Sequence, residues 1–278
     1  MPTDLVIEPL SASEIPQNVA LAQEVGWPDD DADWRVIHEA GLVFGARKAG
    51  QLAGQGVLVP YEPNVGTIAK MIVAPSAQRR GVGAALLDAL LTEAERRSLS
   101  TLGLVATPLG EPLYESRGFA LTGEVAVFIG TPTLDRPSEP TLPVTDIEAA
   151  IAIERQFIAC SRAAMLRGRH RQASATAVCH SPDGASRGFA LATAKGPYAQ
   201  LGPLIAETED IARTLVRAII SALPGPVRID VPGGRTAFRA WLRGLGMPEK
   251  GVRPEMARGG SLPWQVPERF ALATQAWG

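Results

Sequence analysis

The residues Gln78-Arg79-Arg80-Gly81-Val82-Gly83 set two arginines and two glycines where an apolar stretch gives way to a helical repeat. Glycines at such a junction remove side chains where backbone amides can meet a ligand, and the start of a helix favours an anion. The chemistry such a turn can do is phosphate binding. A helix start whose glycines only permit close packing would look the same, so the turn alone leaves both readings open. Two familiar phosphate loops are excluded. No Lys-Ser/Thr follows the glycines, as a nucleoside-triphosphate loop requires, and the glycine pattern and distal acid of a dinucleotide fingerprint are missing.

The elements that must hold this turn are legible on either side of it. Residues 68–73 are apolar and rich in β-branched types and read as a strand, broken by Pro75 and Ser76. Beyond Gly81, the residues Leu86, Leu87, Leu90, Leu91 and Ala94 form one stripe of helical period. Upstream, 5–10 reads as a strand with Pro9 best suited to an edge, 13–24 and 34–40 as helices, and 42–47 with 51–60 as a hairpin. Downstream, 101–105 is a strand, 110–116 a brief helix, and Gly118-Phe119 leads into a strand reaching Ile129. A meander followed by a crossover helix is an α+β arrangement.

Segment 73–84 resembles the central motif of the Gcn5-related N-acetyltransferase (GNAT) superfamily, Gln/Arg-x-x-Gly-x-Gly/Ala after the fourth strand, complete here from Gln78 to Gly83. The resemblance implies that Met71, Ile72 and Val73 pair through their backbone with the pantetheine arm of acetyl-CoA. It implies that Gln78, Arg79, Arg80, Gly81, Val82, Gly83 and Ala84 hold the pyrophosphate. The string Leu113-Tyr114-Glu115-Ser116-Arg117-Gly118-Phe119 resembles the family's second motif and implies that Tyr114 protonates the departing thiolate. Thioester aminolysis needs a neutral amine, a polarised carbonyl and a proton for sulfur. A phenol with pKa about 10 can supply that proton. The plainer alternative for Tyr114 is a half-buried aromatic whose hydroxyl caps a neighbour. The loop at Trp27 lines the acceptor wall in the family, which makes Trp27 a substrate contact; a core or hinge tryptophan is the alternative. The motif's strand carries no carboxylate, where several relatives have a glutamate base. Glu24, Glu62 and His38 are the bases the sequence offers, none with a motif behind it.

At 278 residues, 46% apolar and 20% charged, the chain suits one large or two ordinary globular domains. It has no run of 18 apolar residues, and its first residues lack a basic start and an apolar core. The expectation is therefore a cytoplasmic protein with no membrane partner. Cys160 and Cys179 are too few for a disulfide framework, and no Cys/His spacing suits zinc, so no metal is expected. The net charge of −2 hides an imbalance: residues 1–135 sum to −8 and residues 136–278 to +6. An acidic half suits a cationic or amine substrate. Opposite halves equally suit surfaces that dock on each other, and that reading is favoured. The acidic run Asp29, Asp30, Asp31 and Asp33 reads as a solvated loop. Arg162, Arg167, Arg169, His170 and Arg171 read as a solvated helical face, without the aromatic interleaving that nucleic-acid binding calls for.

Proline, serine and threonine crowd residues 131–143 and mark a boundary between domains 1–135 and 136–278. The second half repeats the order of the first. A helix capped at Thr145 or Asp146 is followed by strands at 173–180, 186–194 and 198–201. A helix through Ile211, Leu215, Ala218 and Ile219 comes next, then a strand at 227–231, a helix at 236–245, a strand at 253–258 and a short tail helix at 267–275. Gly244-Leu245-Gly246-Met247 matches Arg117-Gly118-Phe119. The glycine turn is replaced by Gly202-Pro203-Leu204-Ile205-Ala206-Glu207, and a proline and a glutamate where phosphate should sit argue against a second cofactor site. This half resembles the degenerate second domain of two-domain bacterial members such as the YitH-like group, through Gly-Pro-x-x-Ala at 202–206 and Asp-Val-Pro at 230–232. The resemblance implies two tandem acetyltransferase-like domains, each a mixed, mostly antiparallel sheet flanked by helices. It implies direct transfer of an acetyl group from acetyl-CoA to a primary amine of a small molecule or peptide, since both cysteines lie outside the catalytic half. A non-catalytic acyl-CoA sensor is the alternative. A homodimer is left open.

Overall fold

The computed structural model describes residues 5–133 and 141–277; the boundary expected at 135/136 lies outside the described residues. The first half runs β1 (Leu5–Leu10), α1 (Ile15–Glu24), α2 (Asp31–Ala40), β2 (Leu42–Lys48), β3 (Gln51–Tyr61), β4 (Val65–Val73), α3 (Val82–Arg96), β5 (Thr101–Val105), α4 (Glu111–Glu115) and β6 (Ala120–Gly130). The second runs α5 (Ile147–Phe157), α6 (Ala163–Gln172), β7 (Ala173–His180), β8 (Ser186–Lys195), β9 (Tyr198–Ala206), α7 (Glu209–Ala222), β10 (Val227–Pro232), α8 (Thr236–Gly244), β11 (Glu249–Arg258) and β12 (Arg269–Ala271). Helix α2 begins three residues before the expected start. There the Asp30 carboxylate accepts from the Asp33 amide at 2.9 Å and the Asp33 carboxylate from the Asp30 amide at 3.2 Å, a reciprocal cap.

The expected α+β architecture holds, two tandem halves of mostly antiparallel strands flanked by helices, and their strands are continuous. All the described strands join one 12-stranded sheet, ordered β1-β2-β3-β4-β5-β11-β6-β10-β9-β8-β7, with β12 beside β9. The joint is an exchange. The second half's β11 lies between β5 and β6 of the first, and β6 lies between β11 and β10 of the second. Each half thus completes the other's sheet, and the seam between them is backbone hydrogen bonding rather than surface docking alone.

Helix α3 packs on one face of the first half's strands, its stripe Leu87, Leu90, Leu91 and Ala94 buried against Leu58, Ile68, Leu102 and Leu104. Gly56 lets it approach: a Cβ there would stand 2.8 Å from Leu90. A fully buried leucine is worth about 1.5–3 kcal/mol, so this stripe anchors the turn at the helix's start. Helices α1, α2, α5 and α6 lie on the other face and share a core that runs from Trp34 and Ile37 to Ile151, Leu166 and Leu191.

The acidic run and the arginine-rich stretch are solvated only in part: Asp30, Asp31, Arg167 and Arg171 are exposed as expected, while Asp29, Arg162 and Arg169 are buried and Asp33 is largely covered. Glu154 pairs with Arg162 at 2.5 Å. Asp33 pairs with Arg169 at 3.6 Å, and Glu39 pairs with Arg171 across the halves. The charge imbalance is therefore in part docking chemistry. In the tail, the helix expected at 267–275 is replaced by β12, because its backbone finds partners on β9.

Candidate functional site

Strands β4 and β5 are parallel and paired only through Val65↔Thr101, Gly66↔Leu102 and Thr67↔Gly103. Past Thr67 they part and, among the described residues, 68–73 have a strand partner only on the β3 side. An open edge of this kind presents backbone donors and acceptors to an extended ligand. A bulge shapes that edge: Val57 faces Ala69 and Gln55 faces Ile72, so Lys70 and Met71 together oppose Gly56, with Lys70 at φ +50°. The Met71 sulfur crowds the position a Gly56 Cβ would take on the α3 face. Lys70 turns to the opposite face.

At the top of the cleft, residues 74–81 form the turn that the motif predicts. The Gln78 side-chain amide donates to the Val73 carbonyl at 3.2 Å and ties the turn to the strand end. Gly81 caps α3 at φ +82°, a conformation glycine alone adopts without strain. The first helical bond runs from the Ala85 amide to the Gly81 carbonyl at 3.0 Å. The amides of Val82, Gly83 and Ala84 therefore have no acceptor within the helix. No side chain caps them and no acidic residue lies in the first turn. Arg79 and Arg80 are exposed and enter no hydrogen bond or ion pair among the described residues. A Cβ on Gly83 would touch Val73 at 3.5 Å and Leu113 at 3.6 Å, so a larger side chain there would enter the space between β4 and α4. These groups fit the phosphates and amide-bearing arm of acetyl-CoA.

Tyr114 sits in α4 beside the cleft, 8% exposed, its ring edge-on to Phe119 at 5.9 Å. Burial pushes its pKa up, which keeps the phenol protonated. Its hydroxyl has no hydrogen-bond partner among the described residues, so it caps no neighbour. Trp27 is half-buried, and the Lys70 ammonium lies 5.1 Å from its ring centroid.

Below Trp27 lies a cluster that sequence reasoning missed. Buried Asp29 accepts from Lys70 at 2.6 and 2.8 Å and from Lys195 of the second half at 2.8 Å. Burial alone would raise the Asp29 pKa, but the two ammoniums outweigh it and hold the carboxyl below its ordinary value. Lys195 also bonds Asp33. Of the three offered bases, His38 bonds Asn18 at 3.0 Å, and Asn18 bonds Gln55, the residue that faces Ile72 on the open strand. His38 thus reaches that strand through two side chains; it also lines a cavity of about 480 Å³ with Glu93 and Arg97. Glu62 is in the β3–β4 hairpin, bridged to Ser161, at the end of β4 opposite the turn. Glu24 is exposed at the end of α1.

The second half preserves the frame of this site and fills it. Strands β9 and β10 pair only through Ala199↔Val227, Gln200↔Arg228 and Leu201↔Ile229 and then part, as β4 and β5 do. Into that gap runs β12. The Ala206 amide donates to the Glu268 carbonyl and the Leu272 amide to the Asp230 carbonyl, both at 2.9 Å. The replaced turn also differs from expectation: 202–206 remain strand, and only residues 207–208 separate β9 from α7. The start of α7 is already satisfied, since Thr208 accepts from the Ile211 amide at 3.4 Å and Glu209 and Asp210 occupy its first turn.

An open splayed strand pair, a glycine turn at a helix start and a filled second copy define a tandem acyl-CoA-type fold. Residues 11–119 match the Acetyltransferase (GNAT) family model and residues 150–270 the Acetyltransferase (GNAT) domain model, and the chain belongs to that family as a tandem GNAT protein. It is 24% identical over 269 residues, 93% of each chain, to YitH of Bacillus subtilis (strain 168), described as an uncharacterized N-acetyltransferase. A candidate acetyltransferase from Pyrococcus horikoshii superposes with TM-score 0.85 at 18% identity, over 100% of this chain and 97% of that one. A tandem GNAT protein from the clavulanic acid biosynthesis pathway gives 0.69 at 18%, over 93% and 99%. At these identities the solved structures speak for the fold.

Proposed function

We propose that the protein transfers an acetyl group from acetyl-CoA to a primary amine by direct attack, at the first half's cleft alone. The observation that carries this reading is the contrast between the halves: the β4–β5 gap is open beneath an uncapped helix start, while the β9–β10 gap is filled by β12. Acetyl-CoA supplies the acyl group and the thiolate leaving group. The backbone of Met71 to Val73 aligns the arm, the amides of Val82 to Ala84 meet the phosphates, and a backbone amide near the bulge polarises the carbonyl. Tyr114, kept neutral by burial, gives its proton to the sulfur, and the proton that the attacking amine sheds to solvent restores the phenol. Cys160 fits no acyl-enzyme role, because burial pushes its thiol up to about 11 and it lies in the second half. Saturating acetyl-CoA with a broad amine panel should release free thiol. Absence of release with every acceptor would favour the sensor reading.

A further inference from the structure

The Asp29 cluster sets three cations, Lys70, Lys195 and Arg169, against Asp29 and Asp33, with the exposed Asp30, which caps α2, adding its charge to the field on Arg169. Asp29 has a side chain 1% exposed and is engaged by both ammoniums, so it turns inward. Asp33 is taken up by Lys195, Arg169 and the Asp30 amide. Each ammonium has three donors. Lys70 uses two on Asp29, and Lys195 uses one on Asp29 and one on Asp33. Each therefore keeps a donor in hand, with side chains 12% and 10% exposed. Arg169 is buried with its Nε unpartnered among the described residues.

The placement matters as much as the count. Lys70 stands on the bulge of β4, at the open edge, on the face away from α3, with the Trp27 ring beside it. Lys195 is the last residue of β8, and Gly196 in the turn that follows abuts Pro28 of the Trp27 loop. A nearly covered ammonium with an unused donor gains a charge-assisted bond when an anion arrives. Resting on the acyl-transfer reading, we propose that the acceptor amine also carries a carboxylate, recognised by Lys70 and by Lys195, so that the second half contributes directly to acceptor choice. The first half's acidic surplus, which suggested a cationic acceptor, is spent in part on the second half's arginines and lysines.

The test uses the full chain and matched acceptors, free amino acids against their carboxamides, with rates of thiol release corrected for the fraction of neutral amine. A charge-assisted contact predicts kcat/KM about tenfold or more higher for the acids. Lys70→Met should bring that ratio towards one, and Lys70→Arg, which keeps the charge and guards against loss of fold, should preserve most of it. Equal rates for acids and amides, or a ratio untouched in a folded Lys70→Met, would overturn the proposal while leaving acyl transfer standing. No thiol from any acceptor, with acetyl-CoA still binding, would overturn acyl transfer and the acceptor proposal with it.

Discussion

Tyr114 and Leu242 hold the same place in the two halves: the carbonyl of each accepts the amide five residues on, from Phe119 and Met247, at 3.1 Å in both. Between them stand Gly118 and Gly246, at φ +82° and +80°. The frame is copied and the hydroxyl is not. Tyr114→Phe should lower kcat by about 10²-fold, the usual worth of a general acid, with KM for acetyl-CoA little changed. Because the hydroxyl has no partner, thermal stability near neutral pH should hold. The sign at high pH follows from the raised folded pKa. Stability is intact below the unfolded value of about 10 and is lost as pH rises past it. Melts above that pH should therefore show wild type losing more stability than Tyr114→Phe.

The glycine turn can be tested apart from the chemistry. Gly81→Ala places a side chain at φ +82° in open space, so its cost is backbone strain of about 1–2 kcal/mol. Gly83→Glu sets a carboxylate at an uncapped helix start, where phosphate is to bind. Calorimetry should show the affinity for CoA falling roughly tenfold or more for Gly83→Glu, since charge-assisted bonds are lost and a like charge is added.

Asp29→Asn leaves Lys70 and Lys195 buried without their shared carboxylate. Removing one partner of a buried ion pair costs about 3–5 kcal/mol, which urea unfolding would register. The pH dependence has a definite sign. A carboxyl held below its ordinary value contributes stability above its unfolded pKa of about 3.9, and the contribution is lost as pH falls through that value and below. Asp29→Asn should flatten the acid limb of the stability curve.

The strand exchange predicts that neither half stands alone. A fragment of residues 1–135 would keep β5 without β11 and β6 without either neighbour, exposing Leu102, Leu104 and Phe128. Such a fragment should lack a cooperative melt and bind a hydrophobic dye. Mixing it with residues 136–278 should restore both the melt and CoA binding.

Local chemistry was legible in the sequence. Asp146 caps α5, the stripe of α3 is buried as its period demands, and the strand at 173–180 falls where turn residues bracket it. What was hidden is what depends on partners far away in the chain. Asp29 and Lys195 are 166 residues apart, so the acidic run gave no sign of burial. The bulge at Lys70 leaves no compositional mark, and it decides which face that lysine meets. The tail at 267–275 carries helix-compatible residues, yet the β9–β10 gap offers its backbone hydrogen bonds that a short isolated helix would not match. Interleaving of β6 and β11 is likewise invisible to periodicity, since each reads as an ordinary strand.

One measurement bears on the central claim, that the chain has a single acyl-CoA site and that it lies in the first half. Calorimetric titration of the full chain with CoA should give one site per chain, lost in Gly83→Glu and retained when Glu207 in the filled copy is changed to glycine. Two sites per chain, or full-affinity binding that survives Gly83→Glu, would contradict the account.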